Sequence, residues 1–316
     1  MGEHSEPDAG WLGTLDGKVT VVNGTPGLGQ DREHDMGGLA SLPGLEAVCE
    51  QLAERIAVLR AEQARRRAGA AVTRPVWKNL VFTGGPGSGK TRAARAVTRI
   101  YTELGLLAFG HLREITAADL VGTTLQETGT LVGEAARRAA GDLLMINDAH
   151  AWFELPDRGR HLLRCLYQEL TDSRDHSDRQ LAVILAGRAS PLRDLLRANP
   201  ALAARFPAVI NFPGYTAGQL AAIFATLAGE AGFTLTPESA RKAATVLAQA
   251  EARHHSGNAR LAVRLLDQAT ASQSRRITTA PQARHPATLS TIEAADMPGH
   301  VHPHAPLADD WPGQYL

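Results

Sequence analysis

Several features are scarce in this sequence, and each scarcity excludes a class of protein. The two cysteines, Cys49 and Cys165, lie far apart, so a disulfide framework is not indicated and a reducing cytoplasm fits. Neither charge is in excess, with 33 basic and 33 acidic residues, so nothing calls for a nucleic-acid or anionic-membrane partner. The longest apolar runs, such as residues 143–146 and 181–187, are too short to cross a bilayer. We therefore expect a cytoplasmic protein with no membrane or nucleic-acid partner.

The chain divides into two folded regions between two irregular flanks. Residues 1–40 and 299–316 are polar and rich in glycine or proline, and we predict a flexible leader and a flexible tail. Over residues 41–213, short apolar runs alternate with helical stretches, which predicts an α/β fold with a parallel sheet covered by helices. The predicted strands are residues 79–83, 112–115, 142–147, 181–187 and 208–212. After Pro213 the strand pattern stops, and three helical stretches predict a small all-helical domain over residues 214–298.

A glycine-rich segment follows the first predicted strand and opens the first helix of the α/β region. It satisfies the pattern G-x-x-x-x-G-K-[ST] in the required context with Gly84, Gly85, Pro86, Gly87, Ser88, Gly89, Lys90 and Thr91. Glycines let backbone N–H groups wrap a phosphate, and the helix adds its positive N-terminal end. Lys90 would supply a charge to the β- and γ-phosphates, and Thr91 a hydroxyl to Mg²⁺. The segment predicts a P-loop that binds ATP or a close relative with Mg²⁺, but kinases, GTPases and motor ATPases all share it.

Short blocks recur along residues 41–298 in the order of one known family. They are LPGLE at 42–46, LVFTG at 80–84, GHLRE at 110–114, ADLVG at 118–122, AG at 186–187, NPALAARF at 199–206, FPGYT at 212–216 and GNAR at 257–260. In these blocks the chain resembles the CbxX/CfqX family of AAA+ ATPases, whose best-known members are red-type Rubisco activases. The resemblance implies an AAA+ P-loop core over 41–213, an α-helical lid over 214–298 and assembly into a ring, usually a hexamer.

The resemblance also implies roles for arginines outside the P-loop. In such rings ATP lies between subunits, and Arg205 matches the arginine finger that a neighbour contributes to the transferred phosphoryl group. Arg260 matches the sensor-2 arginine of the lid, and Arg92 is counted among the nucleotide-binding residues. The alternatives are a surface ion pair for Arg205 and a helix-surface charge for Arg260. Trp77 is interpreted either as a neighbour of the adenine pocket or as a packing residue.

The sequence departs from the family at three places. The second acidic motif, usually Asp-Glu, is Asn147-Asp148, so one charge near Mg²⁺ is lost and the carboxylate that polarises water is one methylene short. Because a misplacement on the order of 1 Å can cost about 100-fold in rate, we expect binding to survive and hydrolysis to be slow. Thr124 replaces the aromatic residue of the pore loop, with Leu125 as a weaker substitute, and Arg188 replaces the usual Tyr near sensor 1.

Three functions remain open from the sequence, the third weaker than the others. The first is a ring-forming ATP hydrolase, with Asp148 and Arg205 as catalytic residues and Thr91 and Asn147 at the metal, that remodels an unknown protein client. The second is a nucleotide-binding scaffold or regulatory subunit with little or no hydrolysis, which would co-assemble with an active relative or act as a switch. A P-loop kinase for a small molecule is a third, weaker hypothesis, because it would not need Arg205 and Arg260 at ring-ATPase spacing.

Overall fold

The computed structural model describes residues 43–70, 77–175, 181–253, 258–279 and 289–301. The prediction of a flexible leader over residues 1–40 lies outside the described residues, as does all but the first three residues of the tail predicted over residues 299–316. None of the helices in the described residues combines the length and the hydrophobicity that a membrane span requires.

A five-stranded, all-parallel sheet forms the centre of the α/β region and confirms the predicted strands. In chain order its strands are β1 Leu80–Gly84, β2 Leu112–Thr116, β3 Leu143–Asn147, β4 Ala182–Gly187 and β5 Ala208–Phe212. Their spatial order is β2-β3-β4-β1-β5, so the strand before the P-loop lies between β4 and β5. The loops after β1, β3 and β4 therefore leave the same edge of the sheet, where ligands of open parallel sheets bind.

Within the described residues six helices surround this sheet, and the third and the sixth of them were not predicted from the sequence. They are α1 Glu46–Arg67, α2 Lys90–Glu103, α3 Leu125–Arg138, α4 Pro156–Asp175, α5 Ala189–Ala198 and α6 Pro200–Ala203. Two 3₁₀ turns, Ala118–Leu120 and Ala149–Glu154, follow β2 and β3. The spacing of apolar residues does not indicate helix α3, because Val132 is the only large apolar residue of its buried face. The rest of that face is threonine, glycine and alanine.

The sheet has a separate hydrophobic layer on each face. On one face Phe82 and Phe212 pack with their ring centroids 4.9 Å apart, and α1, α2 and the C-terminal helices cover them. On the other face Val81 and Trp152 belong to a layer shared with α3, α4 and α5. Neighbouring strand residues point to opposite faces, so residues 81 and 82 serve the two layers. The first layer is continuous with the lid, which places the lid beside the P-loop edge of the sheet.

The C-terminal region is a helical lid, as predicted, with one addition. Its helices are α7 Ala217–Glu230, α8 Pro237–Arg253 and α9 Ala259–Thr279. Two short strands, β6 Thr234–Leu235 and β7 Thr291–Ile292, pair in parallel, so the expectation that no strand follows Pro213 was wrong. Two-residue strands carry no periodicity that a sequence could display.

Candidate nucleotide site

The P-loop leaves β1 with a backbone that requires glycine. Gly84 has φ 157° and Gly89 has φ 95°, conformations that residues with a side chain rarely adopt. A Cβ at Gly84 would lie 2.5 Å from the backbone oxygen of Phe212, and one at Gly89 would lie 3.2 Å from the Tyr215 hydroxyl oxygen. The glycines therefore allow the loop to pass between β5 and the start of the lid.

Lys90 is the first residue of α2, and its ammonium group turns back onto the loop. Its Nζ donates to the carbonyl oxygens of Gly84 at 3.0 Å and Gly85 at 2.7 Å. Burial lowers the pKa of Lys90 to about 8; the nearby Asp148 carboxylate opposes this shift and the Arg260 guanidinium adds to it. A partly desolvated ammonium of this kind gains strongly from an anionic partner.

Asp148 follows the end of β3 and Arg260 lies in the lid, and both are near enough to Lys90 to influence its pKa. Asp148 has a left-handed backbone, φ 54°, and its side chain is 74% exposed. Its Oδ1 lies 4.0 Å from Nδ1 of His150, a residue that the sequence analysis missed. Burial lowers the pKa of His150, and its Nδ1 accepts the backbone N–H of Arg188 at 3.4 Å. His150 thus links the ends of β3 and β4 beside Asp148.

A carboxylate from β2 lies between Thr91 and Asn147. Thr91 Oγ1 donates to Glu114 Oε2 at 3.1 Å, and Asn147 Nδ2 lies 3.5 Å from the same oxygen. Glu114 was not predicted as a site residue. Hydroxyl, amide and carboxylate oxygens are the hard donors that Mg²⁺ takes, directly or through water, so the residues present fit this ion.

The lid is tied to the P-loop by Asn258, which also escaped the sequence analysis. It adopts a left-handed backbone, φ 45°, immediately before α9. Its Nδ2 donates to the Pro86 carbonyl at 2.9 Å, and its Oδ1 accepts the Tyr215 N–H at 3.2 Å. The next residue, Ala259, donates its N–H to Gly87 O at 3.1 Å. These bonds hold Arg260 at the mouth of the loop.

Arg92 connects the P-loop helix to the lid in the structure. Its guanidinium lies 3.8 Å from the Glu230 carboxylate at the end of α7, and it is near enough to the Tyr215 hydroxyl to influence its pKa. Burial, opposed by Arg92, raises the pKa of Tyr215 to about 12. The predicted nucleotide contact of Arg92 stays a prediction.

Arg205 lies at the opposite, amino-terminal edge of the sheet. Its guanidinium stacks on the rings of Trp77, 4.3 Å away, and Tyr167, 4.8 Å away, and donates to the Tyr167 hydroxyl at 3.0 Å. The length of β1, about 17 Å at roughly 3.3 Å per residue, separates this position from the P-loop of the same chain. Trp77 shares that edge, so its placement supports the packing interpretation rather than an adenine contact.

The segment predicted as a pore loop is bonded into the start of α3. Thr124 is the N-cap of the helix, and its hydroxyl accepts the N–H of Glu127 at 3.1 Å. The Glu127 side chain in turn accepts the N–H of Thr123 at 2.7 Å. Leu125, the alternative paddle, is 47% exposed.

Comparisons with known proteins agree with this geometry. Family models match at residues 80–214 (ATPase family associated with various cellular activities, AAA) and at residues 216–305 (AAA lid domain). Protein CbbX of Cereibacter sphaeroides is 31% identical over 81% of this chain and 82% of its own length. The chloroplastic ribulose bisphosphate carboxylase/oxygenase activase of Cyanidioschyzon merolae is 31% identical over 81% of this chain and 87% of its own.

Solved structures match the fold at lower identity. The FIGL-1 AAA domain superposes with a TM-score of 0.54 at 16% identity, covering 82% of this chain and 80% of that one. A RuvB variant of Thermotoga maritima gives 0.51 at 19% identity, covering 82% and 69%. Identity this low supports the fold alone. From its match to CbbX and the activase over four fifths of its length, the chain belongs to the CbbX/CfxQ family of AAA+ ATPases.

Proposed function

We propose that this chain binds Mg·ATP at the P-loop edge of the sheet, between α2 and the lid. The observation that carries the proposal is the convergence of three separate elements on Lys90 Nζ. The loop carbonyls contact it, and the Asp148 carboxylate and the Arg260 guanidinium are near enough to shift its pKa. Arg260 offers a second positive group to a terminal phosphate, and Asp148 is the carboxylate available to polarise water.

We infer that hydrolysis requires a second copy of the chain. Arg205 cannot reach its own P-loop, because a full strand length separates them. In a ring, the same arginine would lie at a neighbour's site, where such a residue is worth about a thousandfold or more in turnover. To reach that site, the guanidinium would either break its contact with Tyr167 or contact the neighbour's nucleotide from close to its present position.

The output of such a ring would be remodelling of a protein partner. One relative carries the name of an activase for ribulose bisphosphate carboxylase/oxygenase, and this supports a protein as the client. Thr124 caps α3 instead of presenting an aromatic ring, which argues against a strong grip on a threaded polypeptide. The proposal therefore stops at a protein client and does not specify that enzyme.

The second candidate function is a nucleotide-binding scaffold or regulatory subunit with little turnover. The observation in its favour is the second acidic motif: position 147 carries no charge, and Asp148 is short and held in a left-handed turn. Neither feature removes a residue of the P-loop itself, so ATP binding would survive in either function.

Equilibrium ATP binding and steady-state hydrolysis on the full chain separate these functions. Lys90→Ala should weaken ATP binding at least about tenfold, because a charge-assisted phosphate contact is lost. Arg205→Ala should keep binding and lose turnover, whereas Arg197→Ala, an exposed arginine paired with Asp194, is the matched control and should keep both. Binding without turnover above that of Lys90→Ala would support the scaffold, and no saturable ATP binding would refute both functions.

Mixing two inactive variants tests the action of Arg205 on a neighbour. A Lys90→Ala subunit still offers Arg205, and an Arg205→Ala subunit still offers an intact P-loop. Their mixture should therefore regain turnover that neither has alone. Sedimentation with and without ATP should show ATP-dependent assembly; a strictly monomeric chain under both conditions would contradict the proposal.

The second acidic motif can be tested by restoring the family's residues. Asn147→Asp combined with Asp148→Glu should raise the hydrolysis rate, since a longer carboxylate reaches closer to the water. An unchanged rate in a folded, ATP-binding variant would contradict the role given to Asp148.

A further inference from the structure

We propose that Glu114 supplies, from the neighbouring strand, the magnesium-directed carboxylate that position 147 lacks. This inference rests on the proposed binding of Mg·ATP and adds a residue to that site. In the sequence, Asn147 removes one negative charge from the second acidic motif. In the structure, a negative charge stands beside Asn147 all the same, because Glu114 Oε2 lies 3.5 Å from Asn147 Nδ2.

Strand register brings this carboxylate to the site. In the β2–β3 pair, Glu114 lies opposite Met145, and Thr116 lies opposite Asn147. Side chains two residues apart share a face of the sheet, so Glu114 and Asn147 are diagonal neighbours on the face that α2 covers. Glutamate has the length to span such a diagonal, and its carboxylate reaches the side chain of Thr91.

The hydrogen bond from Thr91 gives Glu114 a chemical role. A threonine hydroxyl that offers a lone pair to Mg²⁺ needs an acceptor for its proton, and Glu114 Oε2 accepts it at 3.1 Å. A carboxylate at this position would also accept hydrogen bonds from metal-bound water and balance the charge of the ion. The Nδ2 of Asn147 faces Glu114 as a donor, which would leave its amide oxygen for such a water.

The competing explanation is a surface ion pair. Glu114 Oε1 lies 3.7 Å from the guanidinium of Arg95, one turn after Thr91 in α2, and the glutamate side chain is 33% exposed. Such a pair uses the other carboxylate oxygen and leaves Oε2 to Thr91. The two roles therefore make different predictions when Arg95 is removed.

The test measures how Mg²⁺ tightens binding of the non-hydrolysable analogue AMP-PNP to the full chain. In Glu114→Gln, the Mg²⁺ concentration at half effect should rise at least about tenfold, as for other residues that orient a metal's ligands. Binding of AMP-PNP in EDTA should stay unchanged. Adding Asn147→Asp to Glu114→Gln should return the Mg²⁺ concentration at half effect to that of the unaltered chain, because β3 then supplies the carboxylate.

Two control variants complete the design. Glu103→Gln removes an exposed glutamate that pairs with Arg99 on the same helix and should leave the Mg²⁺ midpoint unchanged. Arg95→Ala breaks the ion pair and should also leave it unchanged. An unshifted midpoint in Glu114→Gln, or an equal shift in Arg95→Ala, would overturn the role of Glu114. Failure of the proposed function would look different, as an absence of AMP-PNP binding in the unaltered chain.

Discussion

Lys90 is expected to make ATP binding weaken steeply above pH 8. Burial holds its pKa at about 8, with Asp148 opposing the shift and Arg260 adding to it, so the free chain loses this charge between pH 8 and 9. A bound triphosphate restores the charge, because the phosphate oxygens favour the protonated form. Binding above pH 8 is therefore coupled to the uptake of a proton, and the free energy of that uptake becomes less favourable as the pH rises.

The size of the effect follows from the two pKa values. If bound nucleotide returns Lys90 to its ordinary pKa, the apparent Kd rises about 11-fold by pH 9 and about 30-fold by pH 9.5. The nucleotide contributes little, since a terminal phosphate loses its last proton near pH 6. Of the other titratable groups near the loop, His150 is neutral because its pKa is lowered, and Tyr215 titrates only near 12.

The assay is titration of ATP in EDTA at pH 7, 8, 9 and 9.5, by calorimetry or with a fluorescent analogue. Lys78→Met is the matched control, because burial also gives Lys78 a pKa of about 8, yet it lies before β1 and donates to Leu106 O. That variant should keep the full pH dependence. Lys90→Arg should bind more weakly but with a flat profile, since a guanidinium stays protonated. A flat profile in the unaltered chain, or a slope that disappears in Lys78→Met, would refute the reasoning.

Three further predictions concern stability and the lid. Lys78→Met should stabilise the chain by about 1–2 kcal/mol at pH 7 and by less towards pH 10.5. The pKa of Lys78 is lower in the folded state than in the unfolded state, so the free-energy penalty for burying its charge is complete below pH 8 and decreases above it. The hydrogen bond to Leu106 O offsets part of that penalty. Asp296→Asn should cost about 2–4 kcal/mol in urea unfolding, because the buried carboxylate accepts two hydrogen bonds from Arg276. Asn258→Gly keeps the left-handed backbone but removes the bonds to Pro86 and Tyr215, so calorimetry should show roughly five- to tenfold weaker ATP binding.

The sequence predicts the parts of the fold that depend on local pattern. The buried strands are short apolar runs, and α1 shows its buried Val48, Leu52 and Ile56 at helical spacing. Helices α3 and α6 and the pairing of β6 with β7 were missed, because their stability comes from tertiary packing and not from their own composition. Strand order and register depend on contacts between distant segments, which a single sequence does not display.

The same distinction applies to the candidate site. The P-loop was predicted because its eight residues are consecutive and their context is local. Glu114 meets Thr91 across 23 positions, and Asn258 meets Pro86 across 172, so neither contact has a spacing to recognise. The one available signal for Glu114 was an acidic residue within a predicted strand of the sheet, residues 112–115.

Glu114 changes what the loss at position 147 implies for the chemistry. In the sequence alone, the Asn147-Asp148 motif lacks one carboxylate, so both metal binding and water activation are expected to be weaker than in the family. Counted in space, the Thr91 hydroxyl already has a carboxylate partner, and the Asn147 amide faces the same oxygen. If Glu114 serves the metal as proposed, the deficit falls on Asp148 alone, which is exposed, left-handed and one methylene short. Metal affinity and hydrolysis rate should then respond to different substitutions, the first to residue 114 and the second to residue 148.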